Sequence, residues 1–113
     1  MVLVDFNVAK KFEFYEPRIM FTRGAGTLAF AAPERLSEGG AAGYTEKVDI
    51  WAAGILLVML LLGYHPFSDH NGSTTLLIKQ IINGEQIIKE LIQNQTCISE
   101  EAKSLVCSLI KTN

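Results

Sequence analysis

Apolar residues along the chain fall into a few periodic stretches, which polar or glycine-rich segments separate. The longest stretch covers residues 50–62, where every residue is apolar except the neutral Gly54. Thr45 precedes this stretch as a candidate N-cap, and Gly63 follows its last apolar residue. The pattern predicts a helix over residues 45–63 that is apolar on all faces, and such helices are buried either in protein or in lipid.

Length separates these two environments. The thirteen residues 50–62, at about 1.5 Å each, reach about 20 Å, which is short of the roughly 30 Å hydrocarbon core of a bilayer. Asp49 at one end, with His65 and Asp69 beyond the other, opposes any extension. We therefore expect a central helix buried in protein, with a short membrane-associated helix as the disfavoured alternative.

Three later stretches also show helical spacing. The first predicts a helix over residues 73–83, which the Asn83-Gly84 pair ends. The second repeats the pattern over residues 87–92. The third predicts a helix over residues 99–111, with Ser99 as its N-cap and two glutamates in its first turn. Its apolar stripe consists of Ala102, Leu105, Val106, Leu109 and Ile110.

The first third of the chain has weaker periodicity. Residues 1–8 are β-branched or aromatic enough to predict a short strand. Residues 9–31 have mixed charge and a string of small residues, which predicts a long loop. Pro33 and Glu34 follow and open a short helix, with proline in its first turn. The predicted fold class is therefore mainly α, with a short N-terminal strand and about four helices in one domain.

Composition narrows the classes of function. The 113 residues are 49% hydrophobic and 19% charged, with a net charge of −2, so the chain can fill a core and has no basic footprint for nucleic acid. Two cysteines indicate reduced thiols rather than a disulfide scaffold. His65 and His70 lack metal-ligand spacing and are predicted to be solvated loop residues. With no targeting peptide at the start, we expect an intracellular, cytoplasmic protein.

Three segments in chain order resemble motifs of protein kinases. Asp5-Phe6-Asn7 resembles the D-F-G triplet, and residues 26–34 resemble G-T-x-x-Y-x-A-P-E, which closes the activation segment. Residues 44–67 resemble the central C-lobe helix, with D-x-W-x-x-G followed by G-x-x-P-F. Asp5 and Glu34 are 29 positions apart, an activation-segment spacing. The chain is thus similar to part of the C-lobe of a eukaryotic-type serine/threonine kinase, nearest the calmodulin-dependent group.

The resemblance implies a layout for the single incomplete domain over residues 1–113, whose complete parent fold is α+β. The strand and D-F-G-like triplet occupy 1–8, and the activation segment occupies 9–34. The central helix is 45–63, and the helices that follow are 73–83 and 99–111. The implied family activity is phosphorylation of protein serine and threonine with ATP and Mg²⁺ as cofactors.

Asp5 matches the family's metal-binding aspartate and is the implied ligand of Mg²⁺ and the nucleotide; its alternative is a solvated carboxylate. Asn7 replaces the glycine of the triplet, a tolerable change because asparagine adopts positive φ more readily than most residues. Gly26, Thr27 and Phe30 match the loop that positions the substrate.

Thr22 is a candidate activating phosphosite, since a phosphate there would pair with Arg18 or Arg23. A solvated loop threonine is the alternative.

The remaining matched residues are implied to be structural: Pro33, Glu34, Asp49, Trp51 and Gly54. In the family, Glu34 pairs with an arginine beyond the last helix seen in this chain, and Asp49 holds the catalytic loop. Neither partner occurs in these residues, so we expect both carboxylates to be exposed, protonated or otherwise paired. Trp51 is expected to pack in the core.

The sequence contains no G-x-G-x-x-G loop, no match to the family's third-strand lysine and its glutamate partner, and no H-R-D-x-x-x-x-N catalytic loop. We therefore expect a truncated part of a serine/threonine kinase that transfers no phosphate by itself. The alternative is a non-catalytic, pseudokinase-like remnant that binds a partner through the helices after Pro66. Expected partners are a protein substrate or the remaining kinase domain, with neither nucleic acid nor membrane. An exposed apolar surface would also promote self-association.

Overall fold

A computed structural model describes residues 2–6, 28–36, 45–68 and 71–112. Two short 3₁₀ turns, Leu28–Phe30 and Pro33–Arg35, precede four α-helices. The helices are α1 (Lys47–Leu62), α2 (Thr74–Ile82), α3 (Gly84–Gln93) and α4 (Glu100–Leu109). The mainly helical prediction is confirmed, and Pro33 opens a short turn as its position in the sequence suggested.

The N-terminal segment differs from its prediction. Residues 2–6 are exposed and have no strand assignment, whereas a short strand was expected over residues 1–8. A strand exists only when its backbone hydrogen-bonds to a neighbouring strand, and no other strand occurs within the described ranges. A β-branched composition is therefore not enough to form one here. Most of the activation segment predicted for 9–34 lies outside the described residues.

The two ends of α1 are held differently. Thr45 Oγ1 accepts a hydrogen bond from the Lys47 amide at 3.3 Å, while Glu46 occupies the N-cap position without a side-chain bond. At the other end, Gly63 has φ of +82° and donates its amide to the Met59 carbonyl at 2.8 Å. A residue with a Cβ would be strained in this left-handed conformation, so glycine is the favoured C-terminal residue.

Only one face of α1 is buried, although its residues are apolar on all faces. Trp51, Gly54, Ile55 and Val58 are buried. The opposite side carries the outer stripe of α1, which we define as Ile50, Ala53, Leu56 and Leu60. Ile50, Leu56 and Leu60 are 49%, 44% and 73% exposed. Protein thus covers one face of this helix, and the other face presents the exposed apolar surface expected from the sequence. None of the helices in the described residues is long and apolar enough to cross a membrane.

The later helices begin at side-chain caps or at a close contact. Ser73 Oγ accepts the Leu76 amide at 3.3 Å, and Ser99 Oγ accepts the Ala102 amide at 3.2 Å, so the predicted Ser99 cap is confirmed. Asn83 ends α2 as expected, but Gly84 starts α3 instead of forming a left-handed cap. The reason for glycine is space, since a Cβ there would lie 2.8 Å from Phe67 Cζ.

A single hydrophobic core joins the four helices to the turn before α1. Trp51 and Phe67 are its largest fully buried side chains, each only 1% exposed. Burying large aromatic side chains contributes about 1.5–3 kcal/mol each. The core consists of Ala32, Trp51, Ile55, Val58, Phe67, Leu77, Ile81, Ile88, Ile92, Val106 and Ile110.

Candidate functional site

The described part of the predicted substrate-positioning loop lies against the core beside α1. In the turn Leu28–Phe30, Leu28 and Phe30 are half-buried and pack on the core cluster. The Ala31 amide donates to the Leu28 carbonyl at 3.0 Å and closes the turn. Ala31 and Ala32 are buried directly after it. The backbone of this segment therefore has a defined position relative to α1.

His65 joins this turn to the loop after α1. Its Nε2 lies 3.1 Å from the carbonyl oxygen of Ala29, which is 36 positions away in the chain. Its Nδ1 accepts a hydrogen bond from the Phe67 amide at 3.0 Å. The prediction of a solvated loop histidine is thus wrong for His65, since the ring is partly buried and bonded on both sides. His70, the other residue of that prediction, lies outside the described residues.

Two aromatic rings flank the His65 imidazole. Phe30 meets it edge-on, with centroids 5.5 Å apart and an interplanar angle of 85°. Phe67 lies on another side, with centroids 5.7 Å apart. Edge-to-face contacts at this separation are favourable. Sequence reasoning missed this cluster because no local spacing signals a contact between residues 36 positions apart; the placement of His65 between Gly63 and Phe67 was its only trace.

Asp5 lies in the exposed segment 2–6 and has φ of +62°. Aspartate tolerates this left-handed conformation better than most residues with a Cβ. Within the described parts of the chain, no three His, Cys, Asp or Glu residues group together to hold a metal ion. Mg²⁺ in nucleotide sites typically takes one or two carboxylates, with phosphates and water as its other ligands. One exposed carboxylate fits a single position of such a site and does not by itself form a metal centre.

The residues that the resemblance implies to be structural lie in different environments. Pro33, Trp51 and Gly54 are buried, Glu34 is half-buried, and Asp49 is exposed in the first turn of α1. Exposure of Asp49 is one of the outcomes expected for a carboxylate without its family partner. The buried Trp51 indole N–H has no acceptor among the described residues. Asn7, Thr22, Gly26 and Thr27 lie outside those residues.

One carboxyl group among the described residues has a strongly lowered pKa. Glu85, in the first turn of α3, accepts hydrogen bonds from Lys89 Nζ at 2.7 Å and from the Thr112 amide at 2.9 Å. The Lys89 bond, followed by the Thr112 bond, lowers the pKa of Glu85 from 4.5 to about 2. The same ion pair raises the pKa of Lys89. This pair links α3 to the segment that follows α4.

Comparison with known proteins gives the same family along the whole chain. The sequence profile described as "Protein kinase domain" matches residues 1–113. A calcium/calmodulin-dependent protein kinase of Emericella nidulans, cmkA, is 33% identical over 113 residues, all of this chain and 25% of its own length. Serine/threonine-protein kinase DCLK3 of Mus musculus is 38% identical over 112 residues, 98% of this chain and 13% of its own.

A third relative, CBL-interacting protein kinase 12 of Oryza sativa, is 40% identical over 81 residues, 72% of this chain and 14% of its own length. The chain thus spans about a quarter or less of these relatives. No solved structure matches the sequence.

Proposed function

Because this chain belongs to the protein kinase family, we propose that it is part of a serine/threonine kinase that transfers phosphate from ATP to protein hydroxyl groups. The turn at Leu28–Phe30, seated on the core beside α1 and bonded through His65, is the observation that carries this proposal. It is the described end of the segment that resembles the family's substrate-positioning loop. A peptide substrate needs a backbone held in a fixed place, and this segment has one.

Asp5 is the residue of this chain proposed to face the nucleotide. A bound Mg²⁺ would neutralise charge on the ATP phosphates. The exposed carboxylate of Asp5 would supply one ligand, and its left-handed backbone would set the direction of the side chain. Asn7 takes the place of the family's glycine, and the proposal treats this replacement as tolerable because asparagine adopts positive φ more readily than most residues.

Gly26, Thr27 and Phe30 are the proposed substrate-positioning residues. Phe30 is half-buried against the core and the His65 ring, so it would give the loop a fixed wall. Thr22 is the proposed phosphosite, where a phosphate would pair with Arg18 or Arg23 and order the activation segment.

We further propose that these 113 residues transfer no phosphate by themselves. The sequence lacks the H-R-D loop, whose aspartate orients the substrate hydroxyl, and the G-x-G-x-x-G loop over the phosphates. A general base alone contributes about 10²–10⁴ in rate, and lost electrostatic stabilisation removes a comparable factor. The role of the chain is then to carry the substrate-facing side of a kinase whose other elements supply the chemistry.

The native product tests this proposal. An antibody against residues 85–100 would capture it from its source, and its intact mass and kinase activity would be measured with ATP, Mg²⁺ and degenerate peptides centred on Ser, Thr or Tyr. We expect a mass well above 12.5 kDa and phosphate on the serine and threonine peptides only. The purified 113-residue chain, assayed in parallel, should give no transfer above an Asp5→Asn control.

A non-catalytic binding remnant is the second candidate, favoured by the same missing loops and by the exposed outer stripe of α1. A captured product near 12.5 kDa without activity would replace the kinase proposal with this one. Phosphate on tyrosine peptides would instead overturn the serine/threonine assignment.

A further inference from the structure

We propose that His65 is a positioning residue that fixes the turn Leu28–Phe30, and through it the backbone along which a protein substrate lies. The inference rests on the proposed function, and it adds a residue from a different part of the chain to the substrate-facing loop. The observation that carries it is the contact between His65 Nε2 and the Ala29 carbonyl.

The hydrogen bonds determine which ring nitrogen carries the proton. The Phe67 amide is a donor, so Nδ1 must act as the acceptor and have no hydrogen. A neutral imidazole then carries its hydrogen on Nε2, which donates to the Ala29 carbonyl. One tautomer therefore makes both hydrogen bonds, and the ring connects the Ala29 carbonyl to the Phe67 amide.

The base of His65 is itself firmly held. Pro66 is buried, and Phe67, whose amide holds Nδ1, is only 1% exposed in the core. Gly63 ends α1 two residues earlier in a defined left-handed conformation. The imidazole thus extends from a loop that the end of α1 fixes on one side and the buried Pro66 and Phe67 fix on the other.

The turn gains a directional restraint from this ring. Leu28 and Phe30 pack on the core, but apolar contact is non-directional and allows the backbone to rotate. A hydrogen bond to the Ala29 carbonyl restricts both distance and angle. The edge-on contact between Phe30 and His65 limits the same movement from the side. Together these contacts would hold the loop in the orientation that a peptide substrate requires.

Two substitutions separate the two bonds of the ring. In His65→Asn, the side-chain carbonyl oxygen lies near the position that Nδ1 occupies in the wild type and can still accept from the Phe67 amide. The shorter asparagine side chain cannot reach the Ala29 carbonyl. His65→Gln extends an amide toward Ala29 and keeps that donor. Hydrogen-exchange mass spectrometry of peptides over 28–36 is the first readout, with peptides over 47–62 as the internal control. We expect the rate of hydrogen exchange over residues 28–36 to rise about fivefold in H65N and to stay close to the wild-type rate in H65Q.

Peptide binding is the second readout, and it separates positioning from a merely structural role. The probe is a fluorescein-labelled degenerate peptide pool with a fixed central serine, followed by fluorescence anisotropy with the 113-residue chain. H65N should weaken binding at least threefold, and H65Q should restore it.

The outcomes are distinct. Unchanged exchange over 28–36 in H65N overturns the proposal, whatever happens to binding. Faster exchange with unaltered peptide binding, or with no binding by the wild type, confines His65 to a structural role and overturns its substrate function. If the wild type binds no peptide, the proposed function loses support as well; the other results leave it unaffected. Faster exchange over 47–62 in both variants would mean that the core has loosened, and this also contradicts the proposal.

Discussion

Gly54 shows how the space around one residue decides its effect on stability. It lies inside α1, where glycine costs about 0.5–1 kcal/mol relative to alanine, so helix propensity alone favours Gly54→Ala. However, a Cβ there would lie 2.6 Å from Ile110 Cδ1 and 3.1 Å from Leu109 Cβ. The glycine therefore lets α4 approach α1 closely. This close approach is a physical reason for glycine at the last position of the D-x-W-x-x-G-like motif.

We expect Gly54→Ala to destabilise the fold by about 1–2 kcal/mol, because overpacking costs more than helix propensity returns. The urea midpoint of the helical circular dichroism signal, measured at low protein concentration, would detect the loss. Ile110→Val removes the Cδ1 atom that clashes. The double variant G54A/I110V should consequently lose less than the sum of the two single variants. Simple additivity, or a G54A chain more stable than wild type, would contradict the close approach.

Among the helices, the Glu85 pair gives a pH-dependent link between elements. Its carboxylate joins Lys89 on the same helix to the Thr112 backbone 27 positions away, beyond the end of α4. The negative charge also lies in the first turn of α3, where the helix dipole favours it. The Lys89 ion pair, the Thr112 hydrogen bond and the helix-dipole interaction are each weak at the surface. Together they hold the C-terminal segment against α3.

The sign of the pH effect follows from the direction of each pKa shift. The folded pKa of Glu85 is lowered from 4.5 to about 2, so its stabilisation is present above pH 4.5 and is lost as the pH falls through about 2. The pKa of Lys89 is raised, so its part is present below its ordinary value of 10.5 and is lost as the pH rises through the folded value. Between these limits the pair stabilises the fold.

We expect Glu85→Gln to lower the free energy of unfolding by about 0.5–1 kcal/mol at pH 7, since the pair is partly exposed and solvent screens it. The difference from wild type should shrink between pH 4.5 and 2, as measured by urea midpoints over that range. Glu90→Gln is the matched control, because exposed Glu90 accepts a hydrogen bond at 2.8 Å from Gln86 of its own helix. If the difference in unfolding free energy between Glu85→Gln and the wild type stays constant down to pH 2, the lowered pKa of Glu85 is contradicted.

The sequence predicted elements well where the signal is local. Ser99 and Gly63 cap their helices because a side-chain oxygen and a positive φ act within one turn. It failed where the outcome depends on distant neighbours. The strand expected at residues 1–8 needs a partner, and His65 is fixed by a carbonyl 36 positions away. The roles of Asp5, Phe30 and the other matched residues came from resemblance, and they remain predictions.

At the scale of the whole molecule, the apolar content of α1 exceeds what the described fold covers. The helix is apolar around its full circumference, yet only the face with Trp51, Ile55 and Val58 is buried in the core. The outer stripe of α1 is left in contact with solvent. Contiguous apolar surface of this kind mostly marks a site of association or a surface that other protein covers.

We therefore propose that the isolated chain self-associates through the outer stripe of α1. Sedimentation velocity at rising concentration should show oligomers for the wild type and a shift toward monomer for Leu56→Gln/Leu60→Gln, because the polar side chains remove the apolar area that association buries. Leu76→Gln is the matched control, since Leu76 is also exposed, at 43%, but lies on α2; it should associate like the wild type. A monomeric wild type with a sharp two-state thermal transition would mean that the stripe is tolerated in water. Equal loss of association in both variants would place the contact elsewhere on the surface.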